Sequence, residues 1–274
     1  MTTKTSYSSP IVSDSPSPRY ETIPSIDCDG TSVDTRSCIE PGTSAHVAWG
    51  YVAMVIGLLI GGVFSYGLLW LVLLLTPLID LFNRKKQIAL LRGSGLEVGP
   101  HQFPEIYQCA VTQARRLGMD APPAIYIVEG NMINAAAAKI GGRKVIVLID
   151  DIVDACLRSG EPRALAFILG HEMAHHALGH SGLIRATLGK YNKKLSRLDE
   201  FSCDSVAHQL VGNPDIAAVA LTTLLTGPQL LKFVNLHQLF TQASEVAKDK
   251  NSVKAERQLS HPLMLRRIQR FHQL

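Results

Sequence analysis

Residues 169–180 read LGHEMAHHALGH, four histidines and a glutamate within one turn-rich dozen. His171, Glu172 and His175 spell H-E-x-x-H. On a helix, residues four apart sit one above the other, so the two imidazoles converge on one point. Neutral imidazole binds zinc, and a glutamate beside the first histidine is placed to take a proton from water at the ion. The pattern points to metal-assisted hydrolysis. His176 and His180 are also four apart, but on a continuous helix they point about 140° away from the first pair. Ala177 stands where their base would be, so they are read as packing groups or as braces for a ligand.

Two imidazoles do not complete a zinc site. DEFSCD, residues 199–204, offers three carboxylates and a thiol on one helical stretch. Glu200 and Asp204 are four apart, so one can bind the ion while the other fixes a histidine ring. Asp199 lies about 100° around the helix from Glu200 and is expected to be nearly silent. No Cys/His spacing suggests a cysteine-ligated zinc site.

These residues need elements to hold them. Glu161-Pro162 starts a helix that runs through the motif to Leu178, apolar on nearly every face and therefore internal. A second helix spans about 198–211 and stops at Gly212-Asn213-Pro214. AIYIV (124–128) and KVIVLI (144–149) are β-branched runs between turn formers and read as strands, with NAAAAK a third. Pro104 opens a helix to about Leu117, Asp150 or Asp151 caps another to about Leu157, and further helices are expected over 215–225, 230–247 and from Pro262.

The N-terminal third differs in composition. Residues 1–46 are rich in Ser, Thr, Pro and Asp and read as a disordered tail. Residues 41–79 contain no Asp, Glu, Lys or Arg. Residues 47–82 read as one transmembrane anchor, too short for two crossings, and 83–101 as a basic linker to a domain over 102–274. One basic residue precedes the anchor within 20 positions and four follow it, which places the tail outside and the body in the cytoplasm. Gly57 and Gly61 form a GxxxG spacing suited to helix self-association. Net charge is +4, with no basic run interleaved with aromatics, so nucleic-acid binding is not indicated. With the tail outside, Cys28 and Cys38 could pair, while Cys109, Cys156 and Cys203 stay reduced.

The ordered segments PPAIYIVEG, NAAAAK, VIVLIDDIVD, GHEMAHHALGH, DEFSCDSVA and SHPLMLRRI resemble the HtpX-like and CaaX-prenyl-protease-like gluzincin metallopeptidases across most of residues 93–274. The resemblance implies an α+β, mostly helical zincin-type domain with a small β-sheet, behind one transmembrane helix. It implies one zinc ion held by His171, His175 and Glu200, with Glu172 as base and Asp204 as a supporting carboxylate. Arg267 would pair with a carboxylate such as Asp204. Asn134 and Ala135 would form the strand edge to which an extended substrate adds. His261, in SHP, is a candidate donor to the oxyanion or a histidine that only packs. Cys203 departs from the family's usual alanine. A single apolar segment, where HtpX has several, points to single-anchor members and not to a prenyl-protein protease. The function so implied is a membrane-anchored zinc endopeptidase acting on protein or peptide substrates, with membrane-protein quality control as its setting. The alternative is a catalytically inactive zinc-binding scaffold or binding protein of the same fold.

Overall fold

The computed structural model describes residues 23–28, 30–130, 135–140 and 142–272. The chain is mostly helical with one small mixed sheet. Its core is built around α5 (Arg163–Ala177), the motif helix, in which Leu165, Phe167, Leu169 and Met173 are all buried. An apolar surface on every side requires neighbours on every side. They are α3 (Pro104–Arg116), α4 (Asp150–Arg158), α7 (Lys193–Val211) and α8 (Pro214–Leu231).

The closest of these partners is α7, and Gly170 explains the approach. A methyl group at that position would stand 2.9 Å from Leu210 Cδ1 and 3.6 Å from Ala207 Cα. The missing side chain lets α7 lie against α5 immediately beside His171. α11 (Met264–His272) then packs on α8 and on α9 (Leu236–Lys248), which brings Arg267 to the same place.

The sheet runs in the order β1-β2-β4-β3, from β1 (Gly95–Glu97), β2 (Ala124–Val128), β3 (Ala135–Ile140) and β4 (Arg143–Ile149). β2 and β4 are parallel, and the outer strands are antiparallel to them. β3 is an edge strand, and it packs against α5. Three short elements were not expected: β1, α6 (Leu183–Tyr191) and α10 (Lys250–Glu256).

The N-terminal region departs most from the sequence reading. The apolar run is not one continuous rod. It divides into α1 (Thr43–Phe64) and α2 (Leu68–Ser94) at a turn where Tyr66 and Gly67 take positive φ. Of the described helices, α1 alone is long and apolar enough to cross a membrane. The expected linker 83–101 is largely the end of α2 followed by β1, because QIALLR is a strong helix-forming stretch whatever its charge. Gly61 is covered by Leu69 of α2, while among the described residues nothing lies within 4 Å of a side chain placed at Gly57, so within the chain the GxxxG pair faces no common partner helix.

The tail reading is also corrected for the residues described. Ile26, Cys28 and Cys38 are buried in the body's core. Arg116 at the end of α3 donates to the carbonyls of Cys28 and Thr31 and to those of Gln209 and Leu210 in the last turn of α7. Val33 N–H donates back to Arg116 O, and Glu40 N–H donates to Ser202 Oγ. Cys28 is bonded to Cys109, not to Cys38, with Cα atoms 5.5 Å apart. Cys109 is therefore not a reduced body thiol. The described part of the tail is thus held against the body by a disulfide and by hydrogen bonds, and does not stand apart from it as the sequence reading expected. Residues 1–22 lie outside the described residues.

Candidate metal centre and active site

α5 presents His171 and His175 one turn apart, and α7 presents Glu200 opposite them. His171 Nε2 and His175 Nε2 each lie 3.5 Å from a different Glu200 carboxylate oxygen. One ligand atom from each of the three lies within 4.8 Å of the other two. Zinc bonds of about 2.0–2.2 Å at a tetrahedral angle require ligand atoms roughly 3.3–3.5 Å apart. The spacing is long for hydrogen bonds and right for three ligands on one ion. Two imidazoles and one carboxylate, with one side left open, form a donor set that zinc accepts, so the residues fit the ion.

The local electrostatics agree. Burial alone would depress the basicity of His171, but the Asp204 and Glu200 carboxylates more than reverse it, so its pKa is raised. A field that favours positive charge at this ring favours a cation beside it. Burial would raise the Glu200 carboxyl, but the His171, His261 and His175 rings around it more than reverse that and hold it well below the usual carboxylate range.

Each histidine is braced from behind. Asp204 Oδ1 lies 2.9 Å from His171 Nδ1. Arg267 forks the same carboxylate, with Nε 2.7 Å from Oδ2 and Nη2 2.6 Å from Oδ1. His175 Nδ1 faces His180 Nδ1 at 3.2 Å, His180 Nε2 is 3.4 Å from Asp199 Oδ1, and Asp199 is paired with Arg185. The wheel geometry that turned His180 away fails because α5 ends at Ala177 and Gly179 takes φ 79°. His176 does point elsewhere: its Nε2 lies 3.1 Å from Val145 O and its Nδ1 2.8 Å from Ser181 Oγ, which ties α5 to β4. Asp199 is buried and paired, so the expectation that it is silent is also revised.

Cys203 is fully buried, with Sγ 3.5 Å from His180 Nδ1. It stands with His175 and His180 as a second group able to hold an ion. Burial and the surrounding carboxylates push its thiol pKa well up, which opposes the thiolate such a site needs.

The open side of the centre is a cavity of about 550 Å³ lined by Ala135, Ala136 and Ala137 of β3, by Glu172, and by His261 and Met264. Glu172 is buried, and burial raises its carboxyl pKa to about 7, partly offset by His171, Arg267 and a backbone hydrogen bond from Ala137. β3 is the edge strand of the sheet and borders this cleft through Ala135 to Ala137. His261 lies at the rim, with Nδ1 3.3 Å from Glu200 Oε1. Asn134 lies outside the described residues.

Residues 100–189 match the sequence model of Peptidase family M48. Over that third of the chain the sequence is similar to the M48 peptidases. The family is one of metallopeptidases, with peptides or proteins as substrates. No curated protein and no solved structure matches the chain. The M48 match covers His171, Glu172 and His175 but ends before α7. The parts assigned to Glu200, Asp204, His261 and Arg267 therefore rest on where the fold places them.

Proposed function

We propose that this protein is a membrane-anchored, zinc-dependent endopeptidase in which His171, His175 and Glu200 hold the ion and Glu172 is the general base. The observation that carries the reading is the meeting of three ligand atoms from α5 and α7 at a cavity that also contains Glu172 and an edge strand. Zinc held there supplies Lewis acidity toward a scissile carbonyl and toward water. Glu172, in the turn between the two histidines, receives the proton of the attacking water and returns it to the leaving amine. Its buried setting excludes bulk solvent from that exchange.

The substrate's backbone adds along the open edge of β3, where Ala135 to Ala137 present small side chains and backbone groups to an extended peptide. Such binding reads main chain, and it needs no free terminus, which favours internal cleavage. His261, at the rim and already within reach of Glu200, is placed to donate to the developing oxyanion. Arg267 and Asp204 act through His171, fixing its ring and tautomer. The apolar α1 supplies the anchor and would bring membrane proteins within reach of the cleft.

Metal analysis and casein hydrolysis on the purified full chain test this reading. About one zinc per chain, with hydrolysis abolished by a chelator and restored by added zinc, is the expected result. Zinc without hydrolysis would instead identify a binding protein of the same fold. Hydrolysis indifferent to chelation would remove the metal from the mechanism.

A further inference from the structure

The two N-terminal helices are rooted in the body at both ends. Near the start of α1, a side chain on Gly50 would lie 3.1 Å from Leu188 of α6, and α1 also touches α7. The end of α2 packs on β1. Between these roots the helices meet at their far ends, where Gly61 and Gly62 of α1 receive Leu69 and Trp70 of α2. The turn Ser65–Gly67 thus projects from the body, with Phe64 80% and Tyr66 100% exposed.

A turn at the tip of an apolar projection normally presents unpaired N–H groups, which hydrocarbon does not tolerate. This one satisfies its own. Ser65 N–H donates to Gly61 O, Tyr66 N–H to Val63 O, Gly67 N–H to Gly62 O and Leu68 N–H to Ser65 O. Leu69 N–H donates to Ser65 Oγ. The backbone is closed across the bend without water.

Length and composition fit the same reading. α1 has 22 residues, about 33 Å of helix. The returning arm runs 12 residues from Leu68 before Asp80 and 16 before Arg84, about 18 and 24 Å. That is short for an independent crossing of a core about 30 Å thick. An arm tied to its partner at the tip and to the body at its base has no crossing to complete. At the root stand Trp49 and Tyr51 on α1 and Tyr191 on α6, all exposed, with exposed Leu183 at the other end of α6. Aromatic residues of this kind collect at the headgroup level.

We propose that α1 and α2 enter a lipid bilayer as one hairpin and leave it through the same face, with the docked tail and the catalytic body both on that face and α6 resting against the headgroups. Two observations carry it: the self-satisfied turn at the exposed tip, and the tail and body forming one unit, closed by Cys28–Cys109, on either side of the hairpin in sequence. Flanking charge does not set the orientation of such a hairpin, because both flanks lie on the same face. The proposal rests on the membrane part of the functional reading and not on its chemistry, so the Glu172→Gln protein serves equally well.

The test uses the full chain with different epitope tags at its two ends, in sealed membrane vesicles of defined orientation. Fractionation comes first: protein that stays soluble would sink the membrane reading itself. In membranes, both tags should be accessible to antibody together in one orientation and protected together in the other. One tag accessible while the other is protected would overturn the hairpin alone. A Phe64→Cys variant, compared with the parent chain, should escape a membrane-impermeant maleimide added on the tags' own side until detergent is present. Labelling of that cysteine from the tags' side in intact vesicles would place the tip outside the lipid and overturn the proposal.

Discussion

His175 and His180 face each other Nδ1 to Nδ1 at 3.2 Å. Two imidazole nitrogens at that distance must divide their roles, one carrying the proton and the other the lone pair. If His175 Nε2 is kept for a metal, its proton sits on Nδ1 and is donated to His180 Nδ1. The proton of His180 is then on Nε2, which is the nitrogen that faces Asp199. Burial and the neighbouring Arg185 cation hold His180 neutral, as this arrangement requires. The chain Arg185–Asp199–His180–His175 thus repeats on one ligand what Arg267–Asp204–His171 does on the other.

Removal of either brace should loosen the metal without unfolding the protein. His180→Ala and Asp199→Ala are each expected to weaken zinc binding by roughly 10- to 100-fold. Competition against a chromogenic chelator measures this. Zinc affinity equal to that of the parent in both variants would show that His180 only fills space.

Arg267→Met tests the opposite brace through stability. Asp204 is 1% exposed and accepts two hydrogen bonds from Arg267 within the core. Leaving a buried carboxylate without its cation typically costs about 3–5 kcal/mol. A fall in thermal midpoint of several degrees is expected, together with weaker zinc retention. An unchanged midpoint would mean that water or another cation replaces the guanidinium.

The third ligand can be separated from its rival by two substitutions. Glu200→Ala should lose zinc and activity together, whereas Cys203→Ser should keep zinc. Zinc that survives Glu200→Ala but leaves with Cys203→Ser would move the ion to the far side of the His175 ring, among His175, His180 and Cys203.

What the sequence made legible was local. The H-E-x-x-H pair, the strands at 124–128 and near 144–149, and the Glu200/Asp204 face each follow from spacing within one element. His180 was out of reach, because its placement depends on the chain leaving the helix at Gly179. The Arg116 contacts with residues 28 and 31 bridge more than 80 positions, and no period in the sequence encodes them. The bend at Ser65–Gly67 is hidden in an unbroken apolar run, where hydropathy reports burial in lipid but not direction. The likeness to the M48 peptidases over residues 100–189 was legible because its signals sit together in one ordered stretch.

The Cys28–Cys109 pairing can be read directly by peptide mapping without reduction. A linked 28/109 peptide is expected, and a 28/38 peptide would contradict the docking of the tail. The bond closes a loop of 81 residues, so Cys28→Ser should lower stability by about 2–5 kcal/mol in chemical denaturation.

The central claim is that Glu172 acts as a base beside an ion held by other residues. Casein hydrolysis by Glu172→Gln, measured on protein whose zinc content has been shown to equal the parent's, tests it most directly. The substitution keeps the side chain's size and leaves His171, His175 and Glu200 in place. Hydrolysis should fall by at least about 100-fold, the typical contribution of a general base, at unchanged zinc. Retained hydrolysis, or hydrolysis lost only in proportion to zinc, would contradict the account.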